Sequence, residues 1–108
     1  MSSLKTLSVT SGTVKRIMKD ITSYEKEYKI QSAKIDKMKM ENKDAYDIKK
    51  QIEVLEETEK MIPDCKKRLE RALADLNNLL KNVDGSWEGT EELSNARTIQ
   101  QEAMTINL

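Results

Sequence analysis

Apolar side chains recur along this chain at alternating steps of three and four, in two separate runs. In the first, Val14, Ile17, Ile21, Tyr24, Tyr28, Gln31, Ile35 and Met38 keep the spacing, and only Gln31 is polar. In the second, Ile48, Leu55, Ile62, Leu69, Leu76 and Val83 return every seventh residue, interleaved with Gln51, Thr58, Cys65, Ala72 and Leu79. Leu73 and Leu80 widen this second stripe near its end. Such spacing gathers each run on one helix face that needs a covering partner. Leu93, Ala96, Ile99, Ala103 and Ile106 form a third, weaker amphipathic pattern.

The polar interruptions set the boundaries. Around Met40-Glu41-Asn42-Lys43-Asp44, Asn42 tolerates the left-handed conformation that ends helices, and Asp44 is an N-cap candidate with Asp47 in the following turn. A link this short makes the two long helices antiparallel neighbours. Gly85, in Asn82-Val83-Asp84-Gly85-Ser86, reads as a C-terminal stop, and Thr90 as a new cap ahead of Glu91 and Glu92. The Ser/Thr/Val stretch Thr6 to Thr13, with Gly12, is a poor helix run. The spacing therefore predicts helices over about 10–41, 45–83 and 90–106 within a single domain, 1–108. The expected fold is all-α: an elongated antiparallel three-helix bundle of two long coiled-coil-like helices plus a shorter third. Folding back from residue 83, the third helix reaches only to about residue 66 at 1.5 Å per residue. The stretch 30–63 is then a bare hairpin on which Ile30, Met40, Ile52, Val54 and Met61 fall off the seam. A contiguous apolar row of this kind marks a binding surface more often than chance exposure.

Composition sharpens this picture. The chain has 108 residues with four aromatics (Tyr24, Tyr28, Tyr46, Trp87) and no Phe, which suits a narrow helical seam better than a wide core. The net charge is zero, yet residues 1–43 carry ten basic and five acidic groups. These are either solvated faces or a basic first helix that steers an acidic partner. Nucleic acid is not an expected partner of a chain without net positive charge. There is no His, no Gly-rich phosphate loop and no Cys/His cluster, so no catalytic base, cofactor or metal is expected and the chain reads as a non-enzyme. Cys65 occupies a seam position, where a thiol is a small hydrophobe. One cysteine, no apolar run after Met1-Ser2-Ser3-Leu4-Lys5 and no membrane-length apolar window point to the cytosol, without a membrane partner.

Three features stand out against the regular pattern. Pro63 lies inside the second stripe without breaking its register, removes the bond to the Glu59 carbonyl, and is expected to bend the helix. Gln31 and Gln51 are polar seam positions of the type that fixes register. Trp87 is either a plug on the bundle end or an exposed contact.

The motif content resembles a known family. Gly12-Thr13-Val14-Lys15-Arg16-Ile17-Met18-Lys19 with Tyr24-Glu25-Lys26-Glu27, then Tyr46-Asp47-Ile48-Lys49-Lys50-Gln51, then Met61-Ile62-Pro63-Asp64-Cys65 with Arg68-Leu69-Glu70, resemble three blocks of the tubulin-binding cofactor A family. The likeness covers roughly residues 9–80, and the proline within a heptad seam is its most specific element. The resemblance implies a three-helix tubulin-folding chaperone, cytoplasmic and cytoskeleton-associated. Such a chaperone captures and holds β-tubulin before α/β heterodimer assembly without ATP, with other tubulin-folding cofactors as further partners. The segment from Asp84 onward departs from the family pattern. Met38, Met40, Tyr46, Ile52, Met61 and Pro63 are the candidate client contacts. The alternative reading is a structural coiled-coil adaptor that pairs with itself or another helical protein; monomer and homodimer both remain open.

Overall fold

The computed structural model describes residues 3–106; Met1, Ser2, Asn107 and Leu108 lie outside it. It contains α1 (Leu4–Met40), α2 (Ala45–Lys81), a 3-10 turn (Gly85–Trp87) and α3 (Glu91–Met104), with no strand among the described residues. The fold is the all-α arrangement of two long helices and a shorter third that the spacing predicts. No helix is long and apolar enough to cross a membrane. The chain divides into two compact units, one formed by residues up to Lys19 and from Lys66 onward, the other by Asp20–Cys65.

The first unit holds most of the core. Eleven of the fourteen buried apolar side chains lie in it, among them Leu7, Val14, Leu69, Leu76, Trp87, Leu93, Ala96 and Ile99. Here three helical segments surround one seam, so a side chain can be covered on every side. α1 begins six residues before the expected start near residue 10, because packing outweighs propensity. Leu7, Ser11, Val14, Met18 and Ile21 are all buried and carry the heptad spacing back into the Ser/Thr-rich run. Hydroxyls in that run are occupied locally: Ser3 Oγ accepts from the Thr6 amide at 3.1 Å, as an N-cap does. Ser11 Oγ donates to the Ser8 carbonyl at 3.1 Å, and Thr13 Oγ1 to that of Val9 at 3.0 Å. Met18 is buried and Ile17 only half-buried, one position away from the expected seam.

The link from α2 to α3 also differs from expectation. α2 ends at Lys81, and Gly85 opens the 3-10 turn without a left-handed φ; the left-handed glycine is Gly89, at φ 79°. Asp84 organises the turn, its Oδ1 accepting from the Ser86 amide at 2.9 Å and from Ser86 Oγ at 2.8 Å. These two bonds favour the ionised carboxylate and hold its pKa below the ordinary value; the slight opposing push comes from desolvation. Thr90 caps α3 as expected: its Oγ1 accepts from the Leu93 amide at 3.3 Å and donates to the Trp87 carbonyl at 2.6 Å. One hydroxyl thus joins the α3 cap to the turn that seats Trp87, whose ring is 3% exposed. Trp87 is a plug in the core.

The second unit is a two-helix hairpin. Its tip closes by a Schellman motif: Asn42 stands at φ 54°, the Lys43 amide donates to the Met38 carbonyl at 3.0 Å, and the Asn42 amide to that of Lys39 at 3.2 Å. Asp44 Oδ1 then accepts from the Tyr46 amide at 2.9 Å and starts α2, with Asp47 in its first turn. α2 runs unbroken through Pro63. Of the unit's apolar residues only Ile21, Ile35 and Cys65 are buried, joined by Thr58, whose Oγ1 donates back to the Val54 carbonyl at 3.2 Å. Tyr24, Tyr28, Gln31, Ile48, Gln51, Leu55 and Ile62 sit on the seam but are half-buried. Two helices alone leave the shoulders of their contact open to water, so the same heptad spacing yields a deep core in one unit and a shallow one here.

Candidate functional site

Large apolar side chains stand exposed around the shallow seam of residues 20–65. Six large hydrophobic side chains are exposed among the described residues, and four of them, Ile30, Met40, Tyr46 and Val54, belong to this unit. Met40, at 85% exposed, and Tyr46, at 63%, flank the hairpin tip, where the Schellman turn and the Asp44 cap fix the backbone on both sides. Lys50 places its ammonium 5.4 Å from the centre of the Tyr46 ring, which orients that ring without covering it. Exposed apolar side chains of this kind leave water against apolar surface that a partner can remove.

Lower on the same hairpin, α1 and α2 flank an open groove of about 550 Å³ lined by Tyr24, Glu27, Val54, Glu57, Thr58, Lys60 and Met61. Its lining combines the half-buried Tyr24 ring and Met61 with the exposed Val54, and charged groups stand among them. Glu27 Oε1 accepts from Gln31 Nε2 at 3.1 Å. Gln31 Oε1 is buried and has no partner, so this seam position carries a polar cost that an apolar residue would not.

The six sequence-predicted contacts distribute unevenly over these features. Met40 and Tyr46 stand out at the tip; Met38 and Ile52 are half-buried. Met61 is half-buried in the groove, and Pro63 is exposed on the outer side of α2. Only Met61 of the six reaches the groove. Tyr24, Glu27, Val54, Glu57, Thr58 and Lys60 complete it. Val54 was legible as an off-seam apolar residue, whereas Tyr24 reads as seam and the two glutamates as ordinary surface charge. Cys65 is buried, in keeping with a packing role. Among the described residues no group of His, Cys, Asp or Glu is placed to hold a metal.

The family model for tubulin binding cofactor A matches residues 2–99. Tubulin-specific chaperone A of Gallus gallus is 50% identical over 96 residues, which cover 89% of this chain and 88% of that one. The crystal structure of tubulin folding cofactor A from Arabidopsis thaliana superposes with a TM-score of 0.85 at 39% identity, covering 95% of this chain and 96% of the other. A solved β-tubulin binding post-chaperonin cofactor superposes with a TM-score of 0.77 at 33% identity, over 91% of this chain and 93% of its own.

Proposed function

The chain belongs to the tubulin binding cofactor A family, and from that premise we propose that it is a non-catalytic holding chaperone for β-tubulin. It captures β-tubulin before α/β heterodimer assembly and needs no ATP. The observation that carries this reading is the four large apolar side chains exposed on residues 20–65, Ile30, Met40, Tyr46 and Val54, on a hairpin with a shallow core. A surface of that kind is what a chain needs in order to mask apolar surface on an incompletely assembled subunit. The kinship with a β-tubulin binding cofactor supplies the client. Met38, Met40, Tyr46, Ile52, Met61 and Pro63 are the proposed contacts. Further tubulin-folding cofactors receive the client in turn. Residues 1–108 act as one cytoplasmic domain, alone or as a homodimer.

Size-exclusion chromatography of the chain with unassembled β-tubulin, without nucleotide, tests the proposal. A co-eluting complex unchanged by added ATP is expected. Met40→Lys combined with Tyr46→Lys should weaken it about tenfold or more if the tip is central to the contact. Both side chains are exposed, so the helical circular dichroism stays the same. Retention of α-tubulin alone, or of neither subunit, would refute the client assignment. Unchanged affinity of the double variant would remove the tip from the site.

A further inference from the structure

The groove on the hairpin differs from the tip in its chemistry, and the difference specifies what it can receive. Its apolar lining is Tyr24 from α1 and Val54 and Met61 from α2, enough for one bulky aliphatic or aromatic side chain. Two carboxylates, Glu27 and Glu57, line it from opposite helices, and Thr58, buried, offers no charge. Lys60 is the single cation in the lining. It follows Glu57 by three residues and Glu56 by four, and no ion pair joins it to either among the described residues, so the lining carries two carboxylates against one ammonium. The surrounding stretch of α2, residues 51–59, holds Glu53, Glu56, Glu57 and Glu59 and no Lys or Arg. Neither Glu27 nor Glu57 has an ion-pair partner among the described residues, although Glu27 Oε1 accepts from Gln31 Nε2. An apolar cleft flanked by unpaired carboxylates is the complement of an apolar anchor flanked by cations.

We infer that the groove of Tyr24, Val54 and Met61 receives a basic segment of the client. One large apolar side chain of that segment seats in the groove, and Arg or Lys on either side meets Glu27 and Glu57. The inference rests on the β-tubulin reading and adds to it the kind of sequence that is held. It also separates two electrostatic roles. The surplus of cations over residues 1–43 acts at long range on the client as a whole, whereas the groove selects a segment of the opposite sign at contact distance.

The test uses the full chain and unassembled β-tubulin. Glu27→Lys with Glu57→Lys should weaken binding about tenfold or more, because like charges then face each other across the contact. Glu27→Gln with Glu57→Gln keeps an acceptor for Gln31; it should weaken binding by about threefold to tenfold and flatten the dependence on salt. Glu70→Lys with Glu102→Lys applies the same change in net charge on exposed positions elsewhere and should leave affinity within about twofold. A photo-cross-linking residue at Val54 should capture a β-tubulin peptide with an apolar residue flanked by Arg or Lys. Equal effects of the two charge reversals, capture of a segment without cations, or capture of a second copy of this chain would each overturn the inference. Binding by the unaltered chain with unaffected groove variants removes the groove alone. Absence of any complex with the unaltered chain removes the holding function as well.

Discussion

Replacing Leu7 by Ala gives a direct measure of how far packing overrides local propensity at the start of α1. Leu7 is fully buried, although it lies in a Ser/Thr/Gly-rich run whose intrinsic helix preference is low. The substitution removes three carbons from a closed site, or about 2.4 kcal/mol at about 0.8 kcal/mol per buried methylene. The cavity left behind raises the expected cost to about 3 kcal/mol. Val9, two residues along the same turn, is 60% exposed and serves as the internal control. Val9→Ala gives up little burial and gains about 0.5 kcal/mol of helix preference, so its net effect is near zero. The two variants alter the same stretch of backbone and differ chiefly in burial, Leu7 being enclosed and Val9 exposed. Urea unfolding followed by Trp87 emission is the appropriate assay, since Trp87 is buried in the same unit as Leu7. Leu7→Ala should lower the midpoint without changing the slope, and should lower the melting temperature by about 10 °C or more. A cost below about 1 kcal/mol, or equal effects of the two substitutions, would refute the account in which residues 4–10 are helical because they are packed.

Other substitutions test the remaining local devices. Thr90→Ala deletes the acceptor for the Leu93 amide and the donor to the Trp87 carbonyl, and should cost about 1 kcal/mol or more, with Thr90→Ser restoring most of it; thermal melting followed by Trp87 emission measures both. Asp84 has a depressed folded pKa, so its contribution is complete above the ordinary carboxylate range and is lost as pH falls through the folded value. The advantage of the wild type over Asp84→Asn, read from Trp87 emission in urea, should shrink as the solution is acidified through that window and stay constant near neutrality. Gln31→Met replaces a half-buried side chain whose Oε1 has no partner by an apolar one of similar length, and should stabilise residues 20–65 by about 1 kcal/mol, seen as slower amide exchange there.

The heptad spacing was sufficient to identify the helices because a single helix face bears both the signal and the packing. Asn42, Asp44 and Thr90 were legible for the same reason: each satisfies backbone groups that the helix end itself leaves free. The misreadings have a common origin in tertiary context. Ile17 and Met18 are adjacent and both apolar, so periodicity could not choose between them; the wider core of the first unit buries Met18. The Ser/Thr run looked like poor helix because propensity is local, whereas Leu7 and Ser11 are held by contacts distant in sequence. Gly85 looked like a helix stop, yet Asp84 and Ser86 close the turn through side-chain bonds, and Gly89 takes the left-handed position instead. The groove was half legible: Val54 and Met61 depart from the seam, but a glutamate beside an apolar cleft carries the same letter as any solvated one.

The division of labour along α1 and α2 follows from the third helix. α3 is 14 residues long and belongs wholly to the first unit, where its Leu93, Ala96, Ile99 and Ala103 complete a fully covered core. The hairpin of residues 20–65 has no such third layer of its own, and much of its seam is half-buried, with tyrosines and glutamines standing beside Ile48, Leu55 and Ile62. The deep core and the proposed contact surface therefore reside in different stretches of the same two helices. Substitutions such as Leu7→Ala act on the first without altering the exposed row, and Met40→Lys acts on the second without opening a cavity. Under the proposed holding function that separation is useful, because the proposed contact surface can stay accessible while a separate core keeps the chain folded.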